Sequence, residues 1–421
     1  MRPSQLTHRI AGEGSDAWIT HDRAVQRLSR GEDVILLSIG DPDFDTPVAI
    51  RDAATRALAT HRTHYAPIGG EPRLREAIAV TSSAAMGGPV HPDQVVVYPG
   101  AQAALYALAQ CLFDPGDEVI TPEPTYVTYQ PVIASTGATM RPVPLRPERH
   151  FHLDPEDLAR AITPRTRAVM LNFPHNPTGA TLTAEAAAAV ADLVTRHDLV
   201  LISDEVYAAL AYGAPHRSPA SLPGMAERTA VVSSLSKSHA MTGWRCGWSI
   251  TPASLIPHLQ NLARAMYFGV AQFIQDAAAV ALTTGGEELA AIRSAYARRA
   301  RRLVTVLQEA PSLSVRMPEA GMYLFVDVRG TGLDGKAFAA RLLDATGVAV
   351  TPGEGFGPSG AGHVRITLGT EDERLVEAGR RIVTFCEGGM ERERAGEGAR
   401  EREVFPAPSR PVTPAPASGR S

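Results

Sequence analysis

Cysteine is scarce in this chain. Three occur in 421 residues, Cys111, Cys246 and Cys386, odd in number and far apart. That count excludes a disulfide framework and a cysteine-based zinc cluster, and it makes a reducing cytoplasm the expected compartment. Long apolar runs are lacking too. None approaches the roughly 20 residues needed to cross a bilayer, and the opening MRPSQLTHRIAGEGSDAW has no apolar core of the kind a secretion signal carries. A soluble, unexported protein without a membrane partner is therefore expected. Charge of one sign is also missing: 41 Lys and Arg stand against 45 Asp and Glu, a net of -4, with no long basic stripe. Nucleic acid is not an expected partner, and the arginine-rich YARRARRL, from Tyr296, reads as a solvated helix face. Thirteen histidines are present, but none stands at metal-ligand spacing, so no metal is expected. There is no internal repeat.

What is present is apolar substance for a large core. Hydrophobic residues make up 44% and charged residues 20%, and 421 residues exceed what one core usually holds, so two domains are expected. From Thr46 to Thr283, apolar β-type runs alternate with helical stretches such as AEAAAAVADLVTRH. That alternation predicts an α/β domain, a mostly parallel sheet covered by helices, over 46–283. Residues 1–45 and 284–388 are expected to form a smaller α+β domain, with a long arginine-rich helix and a short sheet containing GMYLFVDV and HVRITLG. Residues 389–421 turn abruptly charged and then rich in Pro, Ala and Ser, the composition of a disordered tail.

Chemistry concentrates in SLSKSHAMTGWR. Lys237 is an amine able to form a Schiff base with an aldehyde, while Ser234 and Arg245 supply a hydroxyl and a fixed guanidinium for a phosphate dianion. Three apolar runs end in polar residues where an open α/β sheet places its ligands. RAVMLNFPHNPTG delivers Asn176, LVLISDEVY delivers Asp204 and Tyr207, and TAVVSSLSK delivers Lys237. Taken singly, Asp204 reads as a helix cap, Tyr207 as a core aromatic and Asn-Pro-Thr-Gly as a turn; the combination argues for a site. In QVVVYPGAQAALYALAQCL a strand feeds a helix start, so the free amides of Ala101 and Gln102 suit an anion such as phosphate.

In order and spacing these segments resemble the fold-type I, class I aminotransferases, which use pyridoxal 5'-phosphate. The resemblance implies that Asp204 pairs with the protonated pyridine nitrogen, and that Asn176 and Tyr207 hydrogen-bond the ring oxygen. It places Tyr126, in EPTYVTY, over the ring. It also implies that Tyr65, in THYAPIGGEPRLREAI, reaches the phosphate in a neighbouring subunit, making the active site a property of a homodimer. For an amino acid and a 2-oxo acid as substrates, Gly40 of LSIGDPDFDTP would approach with its backbone. Arg365 of GHVRITLG would fork onto the α-carboxylate. Lys237 would act as the base that moves the Cα proton in a two-stage exchange of the amino group, with no metal required.

The longer stretches THYAPIGG, PHNPTGA, SPASLPGMAERTA, SLSKSHAMTGWR and FIQDAA are most similar to the arginine:pyruvate transaminase branch. A guanidinium side chain would need a carboxylate, for which Glu13 and Asp16 are the candidates. Transamination of aspartate, of an aromatic or of a cyclic guanidino amino acid stays open, as do β-lyase and oxidising or decarboxylating chemistry. A ligand-sensing regulator is disfavoured, because only about 35 residues precede GDPDFDTP, too few for a DNA-binding module. Cys246 stands where the family commonly has an aliphatic residue and should alter packing rather than chemistry. His239 reads as a structural neighbour of Lys237.

Overall fold

The computed structural model describes residues 1–11 and 16–404, the side chains of 16–17 and 389–404 excepted. Seven strands form the main sheet, in the order Val95–Tyr98, Gly247–Ile250, Thr229–Ser234, Val200–Asp204, Thr166–Asn172, Glu118–Glu123 and Thr139–Pro144. Gly247–Ile250 runs antiparallel to both of its neighbours and the other pairings are parallel. The central strands VLISD, TRAVMLN and TAVVSS are rich in Val, Ile, Leu and Thr and are almost wholly buried, as expected of parallel strands covered on both faces. Alternate residues serve opposite faces. Ala230 and Val232 pack with Leu105 and Leu108 of the helix Ala101–Leu112, whereas Val231 packs with Ile50, Leu74 and Ala277 of three helices on the other side. The Ala-rich helix Ala184–Arg196 starts where Thr183 accepts a hydrogen bond from the Ala186 amide.

The later part of the chain builds a three-stranded antiparallel sheet, Thr351–Pro352, His363–Thr367 and Tyr323–Asp327, packed on the helices Gly286–Leu307 and Asp372–Val404 in one core with Leu303, Leu324, Val326, Ile366 and Ile382. Ile35–Leu36 pairs in parallel with Val348–Ala349, so the beginning of the chain joins this later part and delivers Gly40 toward the main sheet. We propose 46–283 as the cofactor-binding domain and 1–45 with 284–388 as the smaller one.

The last helix runs past Gly388 to Val404; the Glu, Arg and Ala of that stretch are strong helix formers. Residues 405–421 lie outside the described residues. One expectation needs correction: YARRARRL is not uniformly solvated, because Arg299 is buried, gripping both Asp43 oxygens at 2.7 Å and Asp372 Oδ1 at 2.8 Å. Composition identified a charged helix, but only the tertiary fold brings these carboxylates beneath it.

Candidate active site

The carboxyl ends of four parallel strands and the start of one helix converge on a cavity of about 200 Å³ lined by Asn176, Asp204, Tyr207, Ser234, Lys237 and Arg245. Ala101, Gln102 and Tyr126 complete the wall, so nine residues expected at the cofactor stand together. The chain has two lysines, Lys237 and Lys336. Lys237 is the one on this cavity, and its Nζ donates to the Gly40 carbonyl.

Asp204 ends its strand 4% exposed. Burial pushes its carboxyl up to about 6, opposed by the Tyr129 hydroxyl, which donates to Oδ2 at 2.7 Å, and by the Val206 amide, which donates to Oδ1 at 3.2 Å. Among the described residues no cation pairs with this buried carboxyl, which suits a cationic group brought in from outside the chain. Asn172 steadies this corner: its Nδ2 donates to the Asp204 carbonyl at 3.2 Å and its Oδ1 accepts from the Asn176 amide at 3.0 Å. Asn176 Nδ2 lies 3.5 Å from the Tyr207 hydroxyl, which meets the Tyr323 hydroxyl at 3.1 Å. Tyr126 packs edge-on against Tyr129, and burial pushes its phenol up to about 12.

The opposite end is built for an anion. Gly100 precedes the helix Ala101–Leu112 with φ +87° and no side-chain cap, leaving the first amides facing the cavity. A Cβ on Gly100 would fall 2.3 Å from Arg245 Nη2, and one on Gly247 would fall 2.5 Å from the Ala101 amide, so backbone and guanidinium close in only because both positions are glycine. Arg245 is itself left-handed, at φ +53°, a conformation that costs free energy for a side chain of this size and is typical of functional sites. Its Nη1 donates to the Thr242 carbonyl at 2.8 Å, and among the described residues it has no carboxylate partner. Ser234 Oγ accepts from the Ser236 amide at 3.4 Å. An amine, a buried carboxyl and an unneutralised anion cradle on one cavity of this size fit pyridoxal phosphate.

A second cavity of about 310 Å³ shares Tyr126, Tyr207, Lys237 and Thr242 with the first and is walled by Trp18, Gly40, Asp41, Tyr323 and Arg365. Arg365 is buried under two aromatic rings, with its guanidinium carbon 4.4 Å from the Tyr323 centroid and 4.9 Å from that of Phe356. It donates to Asn176 Oδ1 at 3.2 Å and to the Ser38 carbonyl at 2.9 Å, while its Nε has no partner. Among the described residues no carboxylate pairs with it. A buried, uncompensated guanidinium is costly unless an anion arrives.

Several residues were not anticipated. Tyr129 closes the EPTYVTY run that supplied Tyr126, and its proximity to Asp204 follows only from the sheet order. Asn172, Tyr323 and Asp41 lie within or beside quoted motifs, yet their types alone carried no signal. Tyr65 lines neither cavity; it is 82% exposed, its ring edge-on to Phe268 at 5.0 Å. Glu13 lies outside the described residues, and Asp16 opens the helix Asp16–Ser29 with its side chain likewise outside them. Cys246 is fully enclosed, and burial pushes its thiol up to about 12. His239 is buried too, lowered to about 4 by the same cause, and is not on the cofactor cavity.

Comparison with known proteins agrees with this geometry. The model of the family described as aminotransferase class I and II matches residues 32–382. The chain is 53% identical to the arginine–pyruvate transaminase AruH of Pseudomonas aeruginosa, over 91% of this chain and 98% of that one. To an aspartate aminotransferase of Pyrococcus horikoshii it is 37% identical, over 86% and 93% of the two chains. Among solved structures, Thermus thermophilus aspartate aminotransferase with maleate superposes with a TM-score of 0.86 at 36% identity, covering 91% of this chain and all of that one. The fold is therefore fold-type I, and the chain belongs to the class I and II aminotransferases, the pyridoxal-phosphate-dependent transaminases.

Proposed function

We propose that this transaminase takes arginine, or another guanidino or basic amino acid, as amino donor and a 2-oxo acid such as pyruvate as acceptor. The observation that carries the reading is the 53% identity, over nearly the whole of both chains, to the arginine–pyruvate transaminase of Pseudomonas aeruginosa. The substrate-side cavity supports it by its charges. Arg365 offers an α-carboxylate fork, Lys237 stands at the junction of the two cavities, and Asp41 provides a carboxylate on the wall, engaged by the Thr242 hydroxyl at 2.7 Å. The Trp18 ring, on the same wall, offers a face for a guanidinium. Asp41 thus joins Glu13 and Asp16 as a candidate for the distal charge.

In this reading Lys237 holds the cofactor, then carries a proton away from the substrate Cα and returns it on the other side of the exchange. When bound, the cofactor supplies a cationic ring that withdraws electrons from that carbon. Asp204 keeps the ring nitrogen protonated, Asn176 and Tyr207 hold the ring oxygen, and Tyr126 covers the ring. The amides of Ala101 and Gln102, Ser234 and Arg245 hold the phosphate. Gly40 accepts from the substrate or from Lys237 through its carbonyl. We further assign the enzyme to the cytoplasm as a homodimer in which Tyr65 completes the partner's site; its exposure, and its absence from either cavity of its own chain, support this.

The test is a half-reaction. Mixing holoenzyme with L-arginine and no acceptor should remove the long-wavelength cofactor absorbance and yield 2-oxo-5-guanidinopentanoate by mass, with pyruvate restoring the band. Loss of the band with aspartate or an aromatic amino acid instead would discard the donor and keep the enzyme class. Lys237→Ala should lose both the band and turnover.

A further inference from the structure

A third cavity, of about 350 Å³, lies behind the cofactor pocket and shares Val206 and Ser234 with it. Three observations bear on what it holds. First, Trp248 is on its wall, 5% exposed, with its indole N–H buried and without a hydrogen-bond partner among the described residues. Second, Arg293 is on the same wall, from the helix Gly286–Leu307, and among the described residues no carboxylate pairs with it. Third, the cavity's one carboxylate, Glu205, is held within the protein: Oε1 accepts from Ser203 at 2.9 Å and from Ser218 at 2.6 Å, and Oε2 lies 3.1 Å from His216 Nε2, which makes no hydrogen bond of its own among the described residues. The remaining wall includes Met86, Leu235, Ile250 and Leu289.

The cavity therefore presents a buried, unpaired donor, Trp248 Nε1, and an exposed guanidinium, Arg293, beside an apolar lining. A buried donor left unpaired costs about 1–3 kcal/mol, and the volume lies in the range of small-molecule pockets, roughly 300–1,000 Å³. We propose that this cavity is a second ligand site, which takes a small aliphatic monocarboxylate: the carboxylate meets Trp248 Nε1 and Arg293, and the hydrocarbon meets the apolar wall. The inference is independent of which amino acid the enzyme transaminates. Because the occupant touches Val206 and Ser234, next to Asp204 and on the strand that leads to Lys237, it reports on the cofactor.

The probe is 4-methylpentanoate, which has neither an amino nor an oxo group and cannot enter the reaction. Calorimetry on the holoenzyme is done in an Arg365→Ala background, which leaves the active centre without a partner for a carboxylate. One 4-methylpentanoate per chain should still bind, with a small shift of the cofactor absorbance. Trp248→Phe, which keeps the ring and removes the donor, should weaken that binding at least about 10-fold. Arg293→Gln, at an exposed position that will not unfold the chain, should weaken it several-fold; both variants should keep the cofactor band and basal kcat. The proposal is overturned if the Arg365→Ala holoenzyme binds no 4-methylpentanoate, which would leave the cavity to water, or if either Trp248→Phe or Arg293→Gln in that background binds it undiminished.

Discussion

Tyr129 donates its hydroxyl to Asp204 Oδ2 across 2.7 Å, with both side chains buried. The tyrosine favours the charged carboxylate, while burial favours the protonated form and dominates, leaving Asp204 at about 6 in the protein alone. A cationic ring nitrogen beside it would reverse that balance.

The apoenzyme should record this in its pH dependence. Asp204 binds its proton more tightly folded than unfolded, since its ordinary value is 3.8. Between about 4 and 6 the folded state therefore holds the extra proton, and the stability contributed by Asp204 falls as pH rises through that window, then levels off. The difference in melting temperature between wild type and Asp204→Asn isolates this one group. For the apoproteins that difference should decline from pH 4 to 6, and cofactor should abolish the decline. Tyr129→Phe should weaken cofactor binding about 10-fold, the scale of one hydrogen bond to a charged group. A flat apoprotein difference would contradict the assignment.

Arg365 should govern affinity for the amino donor. Arg365→Lys keeps the charge but loses the planar fork, and Arg365→Ala leaves the substrate carboxylate without a partner. We expect kcat/KM to fall about 10-fold for lysine and by about 100-fold or more for alanine, the latter matching the 3–5 kcal/mol typical of a broken buried pair. Cofactor absorbance should be untouched in both. Steady-state kinetics beside a spectrum decides it, because a general structural defect would lower both.

Much of this site was legible in the sequence for a physical reason. Parallel strands end at the same sheet edge, so the polar residues that close LNFPHN, LISDEVY and SSLSK must meet if their runs are adjacent strands. Asn176, Asp204 and Lys237 were thus placed by pattern alone. Tyr129 and Asn172 were not, because their roles depend on which strand lies next to which, and strand order is not written in local periodicity. Arg299 escaped for the same reason. Its helix reads as solvated until Asp43 and Asp372, 256 and 73 residues away, are folded beneath it.

Arg299 should accordingly matter to stability more than its sequence suggests. It holds Asp43 with two hydrogen bonds and Asp372 with one, tying the loop after Gly40 to the last helix. Arg299→Met should cost about 3 kcal/mol, since two carboxylates lose their buried counter-ion. Asp372 is held well below its ordinary value, foremost by hydrogen bonds from Arg298 and also by those from Arg299. A lowered carboxyl contributes stability that is present above about 4 and lost as pH falls through that range. The variant should therefore lose more stability at pH 7 than at pH 3.5, as urea titrations at the two values would show.

Tyr65 offers a test of the proposed shared site that no single-chain defect can mimic. Its ring is 82% exposed and packs on Phe268, itself exposed, and it does not line its own cofactor cavity. If it acts on the neighbouring subunit, Tyr65→Ala and Lys237→Ala lie in different sites of a mixed dimer. One site then carries both lesions, and the other combines an intact Lys237 with an intact Tyr65. Tyr65→Ala alone should bind cofactor about 10-fold more weakly, through loss of a hydrogen bond to phosphate, and Lys237→Ala alone should be inactive. Denaturing the two together and refolding should recover, in the mixed dimers, one fully competent site per pair, seen as activity at cofactor concentrations too low to saturate the Tyr65→Ala parent. Activity no greater than the sum of the separate parents would place Tyr65 outside the partner's site.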